Sequence, residues 1–219
     1  MDAALGFAEE LELRDAELAH LLADIERTQA DVDELRRHAD ATRAFLDALP
    51  ELITRRAGDE QAAAAARADA TAQLAAADEE VARARKDDQR LAAERQRQQA
   101  LDALSDAERW LDQARSALEA ARTEGEQHRA DAGRLAARAR ELASGVRDVP
   151  PPGDGLADAL EWASRARGAL LLEHSNLVRE REAVIREANE LTASLLGEPL
   201  VSAAVAGLRD RLALALGES

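Results

Sequence analysis

Histidines and paired carboxylates are the residues of this sequence that could act as metal ligands or as general acids and bases. The histidines are His20, His38, His128 and His174, and none of them belongs to a His-Glu-x-x-His pair. The Glu-x-x-His pattern of di-iron bundles does not occur in duplicate either. Because a metal site needs three or four convergent ligands, we predict no metal and no cofactor. His128 and His174 fall near apolar stripes and are interpreted as polar residues that help to set helix register.

Other residue groups also fail to fit a catalytic pattern. Gly153, Asp154 and Gly155 follow three prolines and lack both the strand and the Lys-Ser/Thr of a phosphate-binding loop. The serines have no nucleophile-elbow context. Paired carboxylates such as Glu79 and Glu80 are most simply a solvated helix face. We therefore predict no catalytic residue and expect that the chain is not an enzyme.

One concentration of basic residues interrupts an otherwise acidic sequence, which has a net charge of −15. It contains acids as well, and it lacks the interleaved aromatics on which bases stack, so an ion-paired helix face is the favoured interpretation. The strong negative charge disfavours binding to nucleic acid and to anionic membranes, which are both polyanions. The basic residues of this cluster are Arg83, Arg85, Lys86, Arg90, Arg95 and Arg97.

The composition predicts long helices rather than a thick globular core. Hydrophobic residues make up 46% of the chain, but more than half of them are alanine, and aromatics reach only 2%. The absence of cysteine excludes disulfides and thiolate sites, and it suits a cytoplasmic location. We expect no transmembrane helix, because no stretch approaches ~18 consecutive apolar residues. The first residues contain no basic leader, so no secretory signal is expected.

Sparse helix breakers divide the sequence, and the resulting fold prediction is all-α with no β-sheet. Pro50, the Pro/Gly linker 149–155 and Pro199 are the main breaks. The predicted segments are an N-terminal heptad helix (1–49), a long central helix (50–148, with possible irregularities near 58 and 92–105), a third heptad helix (156–198) and a short amphipathic helix (199–219). We expect an elongated antiparallel coiled coil or bundle with one very long central helix. A break near Ser105, giving a compact bundle, is the alternative.

Apolar residues repeat every seven positions in these segments, which indicates helix–helix seams. The predicted seam residues are Leu11, Leu18, Leu21, Ile25, Val32, Leu35, Leu46, Leu104, Leu111, Leu118, Leu156, Leu170, Leu177, Val184 and Leu191. Trp110 and Trp162 lie beside seams, which favours core anchoring and leaves exposed partner contacts as the alternative. The candidate partner surface comprises Trp110, Trp162, Val201, Val205, Leu208 and Leu212, together with the alanine-rich half of the central segment.

These features predict a non-enzymatic, cytoplasmic coiled-coil scaffold or adaptor that self-associates, as a homodimer or higher oligomer, and binds protein partners. The long charged helices resemble the coiled-coil arms of chromosome-segregation ATPases, which would imply an accessory subunit of a chromosome-associated or motor ATPase. The length and hairpin layout are similar to the phage-shock family of membrane-remodelling proteins, which would imply assembly at a membrane surface. Both resemblances rest on the overall helical pattern. Residues 1–7 are acidic where a helix that binds an anionic membrane is basic.

Overall fold

The computed structural model describes residues 2–197 and 205–217, and all regular structure in them is helical. The helices are α1 (Asp2–Arg83), α2 (Asp87–Ala143), α3 (Leu156–Leu196) and α4 (Leu208–Ala215). The all-α prediction is confirmed over this part of the chain. None of the described helices contains a segment long and apolar enough to cross a membrane. Val201, a predicted partner residue, lies outside the described residues.

Pro50 does not end the first helix, so the predicted boundary between segments 1–49 and 50–148 is wrong. α1 continues through Pro50 to Arg83. A proline inside a helix removes one backbone hydrogen bond and costs about 3 kcal/mol relative to alanine. Burial of the neighbouring Leu49 offsets part of this cost, and the Pro50 ring itself lies on the exposed side of the helix.

The helix break lies instead at residues 84–86, which corrects the prediction of a continuous helix from 50 to 148. Neither glycine nor proline occurs at this break. The order of charges explains it, because Arg83 ends α1, where a helix favours bases, and Asp87 and Asp88 begin α2, where a helix favours acids. The Lys86 carbonyl accepts the first hydrogen bond of α2 from the Arg90 amide at 2.9 Å.

The break predicts where trypsin will cut the folded chain first. Arg85 and Lys86 lie exposed outside the helices, whereas most other basic residues lie within helices and resist cleavage. We expect early cleavage at residues 85–86, followed or accompanied by cleavage at Arg147 in the loop before α3. The double variant Arg85→Gln/Lys86→Gln should slow the first cut roughly tenfold and leave the Arg147 cut unchanged. Mass spectrometry of a digestion time course measures both cuts. Equal early cleavage throughout residues 67–97 would contradict a defined break.

Residues 41–132 form one of two units into which the chain divides, and this unit is an antiparallel pair of helices. The Arg97–Asp78 ion pair joins residues 19 positions apart, and the Arg115–Glu60 ion pair joins residues 55 positions apart. The separation in sequence grows with distance from the 84–86 break. The C-terminal part of α1 and the N-terminal part of α2 therefore run in opposite directions.

Small residues bring the two helices of this unit close together. Ala63 packs with Leu111 and Ala114 in a small buried cluster. Farther from the break, an ideal Cβ added to Gly125 would lie 2.5 Å from a methyl carbon of Leu49. Gly125 thus leaves the space into which Leu49 packs, and the contact depends on having no side chain there.

Residues 1–40 and 133–219 form the other unit, whose described core consists of two apolar clusters. α3 runs antiparallel to the N-terminal part of α1, because Arg167 pairs with Asp33 while the later Arg181 pairs with the earlier Asp15. The first cluster contains Ile25, Val32, Leu35, Ala136, Ala139, Val146, Ala159, Trp162, Ala163, Ala166 and Leu170. The second joins α4 to α1 and α3, and contains Ala8, Leu11, Leu18, Val184, Ala188, Val205, Leu208 and Leu212.

Candidate interaction surfaces

The predicted seam residues differ in burial. Within the described chain, the buried members are Leu11, Leu18, Ile25, Val32, Leu35, Leu111, Leu118, Leu170 and Val184. The half-buried members are Leu46, Leu104, Leu156, Leu177 and Leu191. The remaining member, Leu21, is exposed. Most of these side chains therefore face a neighbouring helix rather than a partner.

Leu21 does not belong to the seam, and its neighbour Leu22 takes the buried position. Near the N-terminus, the second buried row of α1 follows the main row by four residues, as Asp15 follows Leu11. Farther along, it follows by three residues, as Leu35 follows Val32. Both parts of α1 pack against α3, but α4 joins the cluster at the N-terminal part and the end of α2 joins the cluster at the later part, so the neighbours of α1 change where the row shifts.

A partly buried ion pair between α1 and α3, in which Asp15 is buried and Arg181 is half-exposed, was not predicted as a site. The Arg181 Nε donates to Oδ1 of Asp15 at 2.8 Å, and its Nη2 donates to Oδ2 at 3.4 Å. The hydrogen bond to Asp15 raises the pKa of Arg181 further above its ordinary value, so the guanidinium stays charged. Arg181 interrupts the apolar rows of α3, which is a sequence signal for such a pair. The geometry suits fixing helix register rather than chemistry.

The histidines occupy separate places in the structure. The Nε2 of His174 lies 3.5 Å from a Glu26 carboxylate oxygen, and the His128 ring stacks on Phe45 with centroids 4.0 Å apart. His20 lies one turn from Asp24 on an exposed face of α1. No group of three or more His, Cys, Asp or Glu side chains that could hold a metal occurs within residues 2–197 and 205–217. His128 therefore packs against α1, and His174 lies beside a carboxylate of α1.

The two tryptophans, for which core anchoring is the favoured prediction and a partner contact the alternative, lie in different environments. Trp162 has no exposed surface and forms part of the core cluster of its unit. It therefore cannot contribute to a surface of the folded chain, which corrects its assignment as a partner residue. Trp110 is 45% exposed, on the flank of the α1–α2 contact. Of the two, Trp110 alone is available to a partner.

The predicted partner residues of the C-terminal segment are also buried. Val205, Leu208 and Leu212 pack against α1 and α3. The Glu12 carboxylate accepts a hydrogen bond from the Arg209 amide in the first turn of α4 at 2.7 Å, where a helix favours negative charge. An eight-residue helix is too short to be stable alone, and docking satisfies its apolar face within the chain. The assignment of these three residues as a partner surface is therefore corrected.

The basic cluster flanks the break between α1 and α2. Carboxylates pair with three of its six members, as expected for an ion-paired helix face, whereas Arg85 and Lys86 lie in the break outside the helices. The pairs are Arg83 with Glu79, Arg90 with Glu94 and Arg97 with Asp78.

An open groove of about 590 Å³ beside α1 and α3 also gathers basic side chains. Arg36 lies 3.7 Å from Asp40, and Arg167 lies 3.1 Å from Asp33, so carboxylates neutralise two of its guanidiniums. Arg37 donates to a backbone carbonyl. The lining has little net charge with which to hold an anion.

Large apolar side chains that remain exposed are the strongest candidates for binding residues. Trp110 lies on α2, Leu171 and Leu172 lie on α3, and Leu214 lies on α4. The sequence patterns assigned apolar residues to seams, and among the exposed ones they singled out Trp110 as a partner contact.

Comparisons with protein-family models, with curated proteins and with solved structures find no match for this chain.

Proposed function

We propose that this chain is a non-enzymatic coiled-coil scaffold or adaptor that self-associates and binds protein partners in the cytoplasm. The observation that carries the proposal is the exposure of Trp110, Leu172 and Leu214. Tryptophan is enriched among the residues that anchor protein interfaces, and Leu172 lies beside the exposed Leu171, so that these two leucines form a small apolar patch.

Coiled-coil packing in residues 41–132 is part of this proposal. Support comes from the buried positions, which repeat every seven residues on both helices and are mostly alanine. Such a row buries little area per residue but allows a close approach of the helices. The members of the row are Ala63, Ala70 and Ala77 on α1, and Ala93, Ala100, Ala107, Ala114 and Ala121 on α2.

Charge supports protein over nucleic acid or anionic lipid as the partner class. The net charge of −15 opposes association with polyanions, and carboxylates neutralise half of the basic cluster. Assembly on a membrane through the C-terminal helix would require Leu208 and Leu212 to leave their buried positions.

Sedimentation equilibrium of the full chain tests the self-association. We expect the average mass to rise with concentration from that of one chain toward that of two or more, because exposed leucines gain burial in the oligomer. The rise should persist at high salt, since apolar contacts are not screened. A mass of one chain at every accessible concentration would contradict the proposal.

A further inference from the structure

The outward face of α3 carries a second row with heptad spacing, separate from the face that packs in the core. Steps of four and three residues alternate along it, which is the spacing of a coiled-coil seam. All its members are exposed, whereas Trp162, Ala166 and Leu170 on the opposite face are buried. This outer row consists of Glu161, Arg165, Gly168, Leu172, Ser175 and Arg179.

The outer row is complementary to a second copy of itself that runs in the opposite direction. Glu161 and Arg179 lie equally far from Leu170 in sequence, and so do Gly168 and Leu172. If two copies of α3 pack antiparallel about that midpoint, each residue meets its counterpart in the other copy. Glutamate then faces arginine, and glycine faces leucine. Arg165 and Ser175 form the remaining layer, so no layer between Glu161 and Arg179 contains two like charges. One step beyond the row, Asp158 would face Glu182, and this like-charge layer limits the contact to the six residues of the outer row.

The centre of the row has the shape that this packing requires. Leu172 is 62% exposed, and a Cβ placed on Gly168 would meet no atom within 4 Å. The open surface above Gly168 can therefore receive Leu172 of a second copy as a knob in a hole. Leu171, on the flank of the outer row, is also exposed. In this dimer it would lie next to Leu171 of the second copy, close to the two-fold axis.

The charged ends of the row are free to form the cross-pairs. Among the described residues, the Arg179 guanidinium bonds the Ser175 hydroxyl at 3.2 Å and lies within ion-pair distance of no carboxylate. Glu161 lies 3.7 Å from Arg165 in a loose pair along the helix. A second copy would supply Arg179 with its missing carboxylate.

We propose that the outer row of α3 binds a second copy of this chain in an antiparallel, two-fold symmetric contact. Closed dimers have this kind of interface, in which one surface is self-complementary. The proposal rests on the self-association proposed above and assigns it to a particular surface. A single helix face buries less than a standard interface, so we expect a reversible dimer with micromolar affinity.

Charge reversal tests the pairing directly in the full-length chain. Glu161→Arg and Arg179→Glu should each weaken the dimer about tenfold in sedimentation equilibrium, because each creates two like-charge contacts. The double variant Glu161→Arg/Arg179→Glu should return the affinity to within about threefold of wild type, since the swapped charges again face each other. Glu119→Arg, an exposed position on α2, controls for the change in net charge.

Leu172→Glu tests the apolar centre and should also weaken the dimer at least about tenfold. Leu13→Glu is its matched control, because Leu13 is 63% exposed on α1 and should leave the dimer unchanged. Circular dichroism melting verifies that all variants fold.

If the wild-type chain forms an oligomer whose affinity none of the outer-row variants weakens, this interface is overturned and the proposed self-association stands. A wild-type chain that stays monomeric would overturn both, and failure of the double variant to recover would overturn the antiparallel register.

Discussion

Replacing Trp162 by alanine should lower the free energy of unfolding by about 3–5 kcal/mol, the range for removing a large side chain from a closed core. Trp162 has no exposed surface and is the largest side chain in its cluster. Its neighbours include Ala159, Ala163 and Ala166, whose methyl groups cannot move far enough to fill the cavity. Urea denaturation followed by circular dichroism measures the loss.

Two variants separate burial from side-chain chemistry. Trp110→Ala removes the same side chain from a position that is 45% exposed and should cost about 1 kcal/mol, clearly less than Trp162→Ala. Trp162→Phe keeps most of the apolar volume and removes an indole N–H that has no hydrogen-bond partner among the described residues, so it should cost about 1–2 kcal/mol. Equal losses for Trp110→Ala and Trp162→Ala would show that the two environments are not distinct.

The different burial of the two tryptophans also shows what a single sequence can predict. Both residues lie next to seam positions, so the local pattern is the same for Trp110 and Trp162. The burial of Trp162 depends on α1 and the end of α2, which are distant in sequence. Heptad rows such as Leu11, Leu18 and Ile25 were predictable from the sequence. Any helix that buries one face repeats its apolar residues with the helical period, whichever helix packs against that face.

The positions of helix ends were less predictable, for two different reasons. At Pro50 the local cost of proline was clear, but buried residues such as Leu49 keep the helix continuous, and that contribution is tertiary. At residues 84–86 the signal was present in the sequence as bases followed by acids. The same bases also fit a solvated helix face, and glycine and proline, which usually mark a break, are absent from these positions. Charge order at helix ends is a weaker signal, but it was the informative one here.

The pair of Asp15 and Arg181 was not predicted for a related reason. Asp15 occupies the second buried row of α1 only because that row follows the main row by four residues at this point. A constant heptad would have placed Arg14 there instead. On the facing helix, Arg181 lies in an apolar row of α3, where a charged side chain requires a partner of opposite charge. The partner could be identified only once the two helices were aligned.

Arg181→Met should destabilise the chain by about 2–3 kcal/mol, because it leaves the Asp15 carboxylate, whose side chain is only 12% exposed, without its counter-ion. Methionine keeps the apolar part of the side chain, so the loss of stability measures the effect of removing the charge.

The double variant Asp15→Leu/Arg181→Met should recover to within about 1 kcal/mol of the wild-type stability, since replacing both charges by apolar groups removes the unpaired carboxylate. Arg138→Met is the matched control. Its partners Asp31 and Glu141 are 50% and 66% exposed, so we expect a loss below about 0.5 kcal/mol. Urea titrations of these variants and of the single variant Asp15→Leu complete a double-mutant cycle. If Arg181→Met costs no more than Arg138→Met, the pair between α1 and α3 acts as an ordinary surface contact and does not fix the register of the two helices.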